Sequence, residues 1–580
     1  MTHGADSNGG QRLAEGLAAL GVRTLFTLCG GHISPILVGA KRIGLRVVDV
    51  RDEAAAVFAA DAAARLSGTV GVAAVTAGPG VTNALTALHN ARLAQSPVIL
   101  IGGAAPTVLR GRGALQDIDQ LRVVRPHVKW AGSAKRVRDL VPLLYRAAAA
   151  ARQGEPGPVF LDCALDLLYD EPLVREWYGA GGGTGRGLRG RLERWYLRRH
   201  VNRMFAAASA VPVPPPRPPV VRPDPESVSR ARTLLTSARR PVLLLGSQAV
   251  LNVAGVAQLA DAVDRLGIPA FLSGMARGLL GRHHPLLRRH RRREALRDAD
   301  LVILGGVPCD FRLDYGRHIG RGARLVAANV SRSAARRNRR PTVTAVGDPG
   351  SFVTALAAPA AAAAGWAEWA ADLAARDVAR DAEITTMAAE RGTRVNPMAL
   401  CRAIEETASD DSVFVLDGGD FAATASYVLA PRGPLRHLDP GVFGTLGVGG
   451  GFALGAAAVH PGSEIWILYG DGAVGFSLAE FDTFVRHGIA VIAVVGNDAS
   501  WSQIARDQVE VLGDDVGTVL RHTDYHVAAR GLGAEGLLVT HTAQVPAVLA
   551  EAQALARQGR PVLVNVLLDR TGFRKGSISM

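Results

Sequence analysis

Short runs of valine, isoleucine and leucine recur along the chain, each closed by glycine or another turn residue and followed by an alanine-rich stretch of helical character. They are Val70 to Thr76, Pro97 to Ile101, Pro241 to Leu245, Leu301 to Leu304, Val413 to Leu416, Glu464 to Tyr469, Ala490 to Val495 and Pro561 to Leu567. The runs are continuous rather than alternating, so both faces of each strand are buried, as happens when helices cover a parallel sheet on either side. Strands of this kind interleaved with helices predict β-α-β units and an α/β fold of doubly wound parallel sheets.

Two breaks in composition divide the pattern. Residues 173–225 pass through GAGGGTGRGLRG and VPVPPPRPP, too rich in glycine and proline for a sheet, and residues 357–394 turn from alanine-rich to charged. Three domains are expected, at 1–172, 226–356 and 395–580, the last ending in a short tail. Inside the first break, RGRLERWYLRRHVNRMF sets Leu192, Trp195, Tyr196, Val201 and Phe205 among arginines. It reads as a linker helix packed on its own protein, with a membrane surface as the alternative.

A length of 580 residues with 48% hydrophobic and 20% charged residues excludes a single small module and wholesale disorder. The formal charge of +14 raises the question of nucleic acid, but only Lys41, Lys129, Lys135 and Lys575 are lysines. Arginine in place of lysine throughout, beside abundant alanine and glycine, fits the codon usage of a GC-rich genome, so no nucleic-acid partner is expected. Cys29, Cys163, Cys309 and Cys401 form no C-x-x-C pair, which predicts neither disulfides nor a zinc site and suits a reducing cytoplasm. The polar start MTHGADSNGGQR has no signal-peptide core. The longest uncharged stretches, Phe352 to Trp366 and Gly441 to Ser463, are alanine and glycine broken by Pro359 and Pro461, so no membrane span is expected.

The chemistry concentrates near YGDGAVGF, Tyr469 to Phe476, directly after the apolar run IWIL. Asn497-Asp498 ends a second run, and Ala473 to Gly496 is the interval of 24 residues between them. An aspartate and an asparagine at the carboxyl ends of two parallel strands converge on the crevice where such sheets bind ligands. They offer a carboxylate and a carbonyl oxygen to a hard cation such as Mg²⁺, whose remaining positions suit diphosphate oxygens. Gly470 and Gly472 allow close approach of backbone to phosphate.

This arrangement resembles the motif of the thiamine diphosphate-dependent enzyme family, GDG followed some two dozen residues later by Asn. Other segments are similar in the right order. Val50-Arg51-Asp52-Glu53 before AAAVFAADAAARLSG resembles the segment with the family's essential glutamate, which implies Glu53 for activating the cofactor. TAGPGVTNALTALHNARLAQSPVILIGG, Thr76 to Gly103, resembles the Gly-Pro-Gly turn beside the cofactor, implicating Gly78 and Asn83. GTLGVGGGFALGAA, Gly444 to Ala457, resembles the stretch with the apolar residue wedged between the cofactor's rings, here Leu446. The resemblance implies an N-terminal pyrimidine-binding, a central and a C-terminal diphosphate-binding domain. It further implies cofactor contacts from Gly419, Asp420, Phe421, Gly470, Asp471, Gly472 and Ala473, and Mg²⁺ held by Asp471, Asn497 and Ala499. A homodimer or homotetramer follows, because the two cofactor-binding domains of one site usually belong to different chains. Asp420 departs from the amide or hydroxyl of several relatives, and its backbone is expected to face the diphosphate, since an acid would repel it.

The branch of highest similarity is the acetolactate synthase-like 2-hydroxyacyl-CoA lyases, through GGHISP, SGMARGLLGRHHPL, CDFRLDYGR, DGGDF, FDTFVRH and GFRKGSIS. That implies an acyl-CoA substrate, with His32 as proton acceptor and Gln116 near the thiazolium. Acetolactate synthase or a related 2-oxoacid carboligase is the enzymatic alternative, and a non-catalytic or nucleic-acid-binding protein on the same fold the non-enzymatic one. No dinucleotide fingerprint marks the middle block, so FAD is not expected. Its arginine runs, Arg288 to Glu294 and Ser331 to Arg340, are expected as solvated helix faces, with CoA phosphates as the alternative.

Overall fold

The computed structural model describes residues 8–180, 188–206, 211–358 and 365–575. The first seven residues of the polar start, most of the glycine-rich part of the first break, Pro359 and the last residues of GFRKGSIS lie outside the described residues. The chain divides into two compact units, one of residues 1–64 and 69–218 and the other of residues 65–68 and 219–580.

The first unit is built on β1 (Thr24–Thr27), β2 (Arg46–Asp49), β3 (Gly71–Val75), β4 (Val98–Ala104), β5 (Trp130–Ser133) and β6 (Val159–Ala164). They pair in the order β2-β1-β3-β4-β6-β5, all parallel. Every residue of β3, β4 and β6 is buried. Burying each Val, Leu or Ile contributes about 1.5–3 kcal/mol, so these central strands hold the unit together. Helices Gly9–Ala19 and Leu140–Arg152 supply Leu13, Leu17, Leu140 and Leu144 to the same core.

The second unit contains two further parallel sheets. The central one comprises β7 (Pro241–Leu245), β8 (Ala270–Leu272), β9 (Leu287–Arg288), β10 (Leu301–Gly305), β11 (Arg324–Asn329) and β12 (Val343–Val346), in the order β12-β11-β10-β7-β8-β9. The other comprises β13 (Val413–Leu416), β14 (His437–Leu438), β15 (Ile465–Gly470), β16 (Ile492–Asn497), β17 (Glu535–Val539) and β18 (Val562–Leu567), in the order β14-β13-β15-β16-β18-β17. The chain is therefore α/β with three doubly wound parallel sheets. The charged half of 357–394 is the 22-residue helix Ala367–Ala388, which buries Trp369, Leu373 and Ile384. Trp369 also donates its indole N–H to the Pro241 carbonyl at 3.1 Å.

In the arginine runs of the middle block Arg291, Arg293, Arg332, Arg336, Arg337 and Arg340 are exposed, as expected, and three others depart from expectation. Arg288 is buried and donates to the carbonyls of Pro285, Leu287 and Ala370, Arg289 to those of Tyr427 and Val428, and Arg339 to those of Gly316, Ile319 and Gly320. These three guanidiniums satisfy main-chain acceptors at helix and loop ends and are not part of solvated faces.

Candidate active site

The carboxyl ends of the first unit's strands gather the residues expected to handle protons. Glu53 opens the helix Glu53–Ser67 just past β2 and is 6% exposed. Asn83 donates its amide N–H to Glu53 Oε2 at 3.0 Å. Asp52 is exposed, and its Oδ1 accepts the Ala54 N–H at 2.8 Å, capping the same helix. Adjacent acids thus differ in role: Asp52 satisfies the helix end, and Glu53 is turned inward.

His32 lies in the turn after β1, with Nδ1 3.2 Å from Thr76 Oγ1 at the end of β3. A Cβ on Gly30 would stand 2.5 Å from Thr76 Cβ, and one on Gly103 2.5 Å from His32 Cβ, so both glycines make room for this pair. Burial lowers the His32 pKa from its ordinary value, keeping the imidazole neutral and able to accept a proton at neutral pH. Gln116 has φ +61°, and its carbonyl oxygen lies 2.6 Å from where a Cβ on Gly78 would be. Gly78 itself has φ +62°, so the turn needs glycine for conformation and for space.

Sequence reasoning passed over the network behind that turn. Gly78 N–H donates to Gln120 Oε1 at 3.3 Å, and Gln120 Nε2 donates to the Gly103 carbonyl at 2.8 Å and to Asp162 Oδ1 at 2.5 Å. Asp162 also accepts from Ser133 Oγ at 2.5 Å and pairs with Arg110 at 2.8 Å. This buried polar cluster ties the Gly78 turn to β4, β5 and β6.

The third sheet gathers a second set. Asp471 follows β15 directly and is 3% exposed; its Oδ1 accepts the Gly472 N–H at 2.8 Å and its Oδ2 the Ser500 N–H at 3.2 Å. Burial, then the charge of nearby Asp498, pushes its pKa up to about 7 despite those amides. A bound cation would favour the ionised form of such a buried carboxylate. Asn497, at the end of β16, donates to the Thr523 carbonyl and to Asn565 Oδ1, while its Oδ1 lies 3.2 Å from His522 Nδ1. Ala499 has φ +54°, and its carbonyl accepts from Leu520 N–H and Arg570 Nη2, each at 3.0 Å. The bond from Ser500 to Asp471 brings the ends of β15 and β16 together, but the Asn497 and Ala499 oxygens already have protein partners.

Beside them, glycines form a cradle. Gly419 has φ +106°, and a Cβ there would stand 3.1 Å from Gly470 Cα. A Cβ on Gly418 would lie 1.9 Å from Leu446 Cδ2, so the Leu446 side chain rests directly on Gly418. Asp417 holds this arrangement from below: it accepts the N–H groups of Gly418, Gly447 and Gly449, the last two at 2.9 and 2.7 Å. Burial still pushes its pKa up to about 6. Asp420 begins the helix Asp420–Val428, followed by buried Phe421, and its carboxylate is bonded to Arg506 at 2.8 Å. Gly472 packs against the Trp501 ring, and Ala473 is buried behind it. A cleft at this end of the sheet is lined by Asp420, Asp498, Ser500, Ser502, Arg506 and Arg570. Among the described residues no group of three or more His, Cys, Asp or Glu side chains could hold a metal. The expected ligand set, one carboxylate, one amide and one main-chain carbonyl, is of a different kind.

Comparison with known proteins bears on both sets. Residues 7–123 match the thiamine pyrophosphate enzyme N-terminal TPP binding domain, residues 228–356 the central domain, and residues 417–566 the C-terminal TPP binding domain. The chain is 48% identical to 2-hydroxyacyl-CoA lyase 2 of Danio rerio, covering 99% of this chain and 93% of the relative. It is 49% identical to 2-hydroxyacyl-CoA lyase 2 of Homo sapiens, covering 99% and 92%. To a probable acetolactate synthase of Mycobacterium bovis it is 34% identical, covering 97% and 95%. The three parallel sheets, the carboxyl-end residues of the outer two and these matches lead to one conclusion: the chain belongs to the thiamine pyrophosphate enzyme family, with thiamine diphosphate as its cofactor.

Proposed function

We propose that the protein is a thiamine diphosphate- and Mg²⁺-dependent lyase that cleaves the bond between carbons 1 and 2 of a 2-hydroxyacyl-CoA, giving an aldehyde or ketone and formyl-CoA. The observation that carries this reading is the near-full-length identity of 48–49% to 2-hydroxyacyl-CoA lyases, against 34% to an acetolactate synthase. When bound, thiamine diphosphate supplies the nucleophilic carbon and the electron sink of the reaction. Glu53, oriented by Asn83, would hold the pyrimidine ring by accepting a hydrogen bond from a protonated ring nitrogen at its buried carboxylate. Leu446, seated on Gly418, would support the rings from the other side.

Asp471 and Asn497 would hold Mg²⁺ against the diphosphate, with the Ala499 carbonyl completing the set once it exchanges the Arg570 bond for the cation. A cation there returns Asp471 to its ionised form. The main-chain N–H groups at Gly419 and Asp420 would face the diphosphate while Arg506 holds the Asp420 carboxylate aside. His32 takes the proton from the substrate hydroxyl as the carbon–carbon bond breaks, and Gln116 orients that oxygen. The pyrimidine-binding and diphosphate-binding halves of one site would come from two copies of the chain, making a homodimer the smallest active form.

The deciding assay is a panel of 2-hydroxyacyl-CoA thioesters, with formyl-CoA and carbonyl product quantified, run beside pyruvate without CoA. Cleavage of the thioesters is expected. Turnover of pyruvate alone would instead establish the carboligase reading, which rests on the 34% identity to acetolactate synthase. No helix among the described residues is long and apolar enough to cross a membrane.

A further inference from the structure

The helix Leu188–Phe205 has two apolar faces, and its own protein uses one of them. Val201 and Met204 are buried in the first unit's core. At 100° per residue, Leu188, Leu192 and Trp195 fall on the opposite face, and Tyr196 lies at its margin. These four are 79%, 61%, 57% and 56% exposed. Arg191, Arg198, Arg199 and Arg203 are all exposed around them, with Glu193 as the one acid of the helix. The Arg199 guanidinium lies over the Trp195 ring, 5.3 Å from its centroid.

The inner side is fixed by polar contacts that set the direction of the outer one. His200 Nε2 is 2.7 Å from Thr107 Oγ1, and Thr107 donates its N–H to Asp166 Oδ2 at 2.9 Å. Tyr178 donates to the same buried carboxylate oxygen at 2.6 Å. A helix held this way does not need leucine and tryptophan on its solvent face for packing.

We propose that this helix docks the protein flat onto an anionic lipid bilayer, burying Leu188, Leu192 and Trp195 at the headgroup boundary while the flanking arginines meet lipid phosphates. A stripe of leucine and tryptophan bordered by arginine is the arrangement that binds in the plane of an interface, and Trp and Tyr favour that depth. Charge complementarity selects this occupant. A second copy meeting the same face about a two-fold axis would set arginines against arginines with one glutamate per helix to offset them. The inference is independent of the lyase reading, because it concerns binding alone.

The test is co-sedimentation of the full-length protein with phosphatidylcholine vesicles, with and without phosphatidylglycerol, and brominated lipid as a quencher of Trp195. Binding that requires phosphatidylglycerol and falls with added salt is expected. Leu192→Glu and Trp195→Glu should each weaken it by at least about tenfold, and alanine at Arg191, Arg198 or Arg203 by roughly fivefold each at low salt. Unchanged circular dichroism and vesicle-free turnover in these variants would show that the fold is intact. Absence of phosphatidylglycerol-dependent binding, or variants that bind as tightly as the parent, would overturn the proposal. So would a halving of the solution mass in Trp195→Glu without vesicle binding by the parent, which would assign the face to a second copy.

Discussion

The first and third sheets have the same strand order, β2-β1-β3-β4-β6-β5 against β14-β13-β15-β16-β18-β17, yet their carboxyl ends carry different chemistry. After β1 the chain runs Cys29-Gly30-Gly31-His32, and after β13 it runs Asp417-Gly418-Gly419-Asp420. Gly30 leaves room for Thr76 in the first sheet, and Gly418 and Gly419 leave room for Leu446 and Gly470 in the third. Next to these glycines the first sheet sets a neutral imidazole against a threonine hydroxyl, and the third a carboxylate gathering main-chain N–H groups. The first sheet's end presents Glu53 beside the Asn83 amide, with Asp162 paired to Arg110 behind the Gly78 turn; the third presents Asp417, Asp420, Asp471 and Asp498, with Arg506 and Arg570 beside them. On the proposed reading one topology would serve proton handling in one place and phosphate and metal handling in the other, because function resides in the residues at strand ends and not in the strand order.

The sharpest way to break this contrast is at Asp471. Asp471→Ala should abolish Mg²⁺-dependent retention of thiamine diphosphate, and with it turnover, as read by calorimetry and by gel filtration of the loaded protein. A variant that keeps its cofactor through gel filtration would remove the metal-binding role from the third sheet. Glu53→Gln should do the opposite, leaving cofactor affinity nearly intact while lowering turnover by about 10³-fold or more. Equal losses of affinity and turnover would blur the two sheets' roles.

His32→Ala should lower kcat for cleavage by roughly 10²- to 10⁴-fold, the usual contribution of a positioned base. Because burial lowers the pKa of His32, the base is available at neutral pH and is lost only as acid protonates it, so activity should fall below the ordinary histidine range. That acidic limb should vanish in His32→Ala and persist in Gln116→Ala; its persistence in His32→Ala would assign the proton to another group. The smallest effect is expected at the ion pair beside the cradle. Arg506→Ala leaves the Asp420 carboxylate without its partner and should weaken cofactor retention by about tenfold, with Asp420→Asn in the same chain restoring it. No recovery in the double variant would mean that Arg506 contacts the cofactor itself.

The eight strands read from continuous apolar runs all occur, each within three residues at either end. Continuous burial on both faces leaves a signal in the residues themselves, and these strands form the middle of their sheets. Other strands were opaque for local reasons. β6 carries Asp162 within its apolar run, β9 and β14 are two residues long, and β17 is only partly buried. The same limit applied to the arginines: RRHRRRE looks like a solvated face until tertiary structure brings main-chain carbonyls to Arg288 and Arg289.

What the sequence determined alone was the α/β fold of three parallel sheets and the family. Both rest on short-range information: runs of apolar residues, and motifs whose spacing follows from a strand, a turn and a helix. Only the tertiary structure decided how those motif residues are held. It separated Asp52 from Glu53 by turning one to the helix end and the other inward. It set Thr76 against His32, Gln120 beneath the Gly78 turn, Asp417 beneath Gly447 and Arg506 against Asp420. Each of these contacts joins residues separated by at least 30 positions in the chain. A hydrogen bond or ion pair over such a separation exists only once the sheets have folded, and it leaves no local pattern to read.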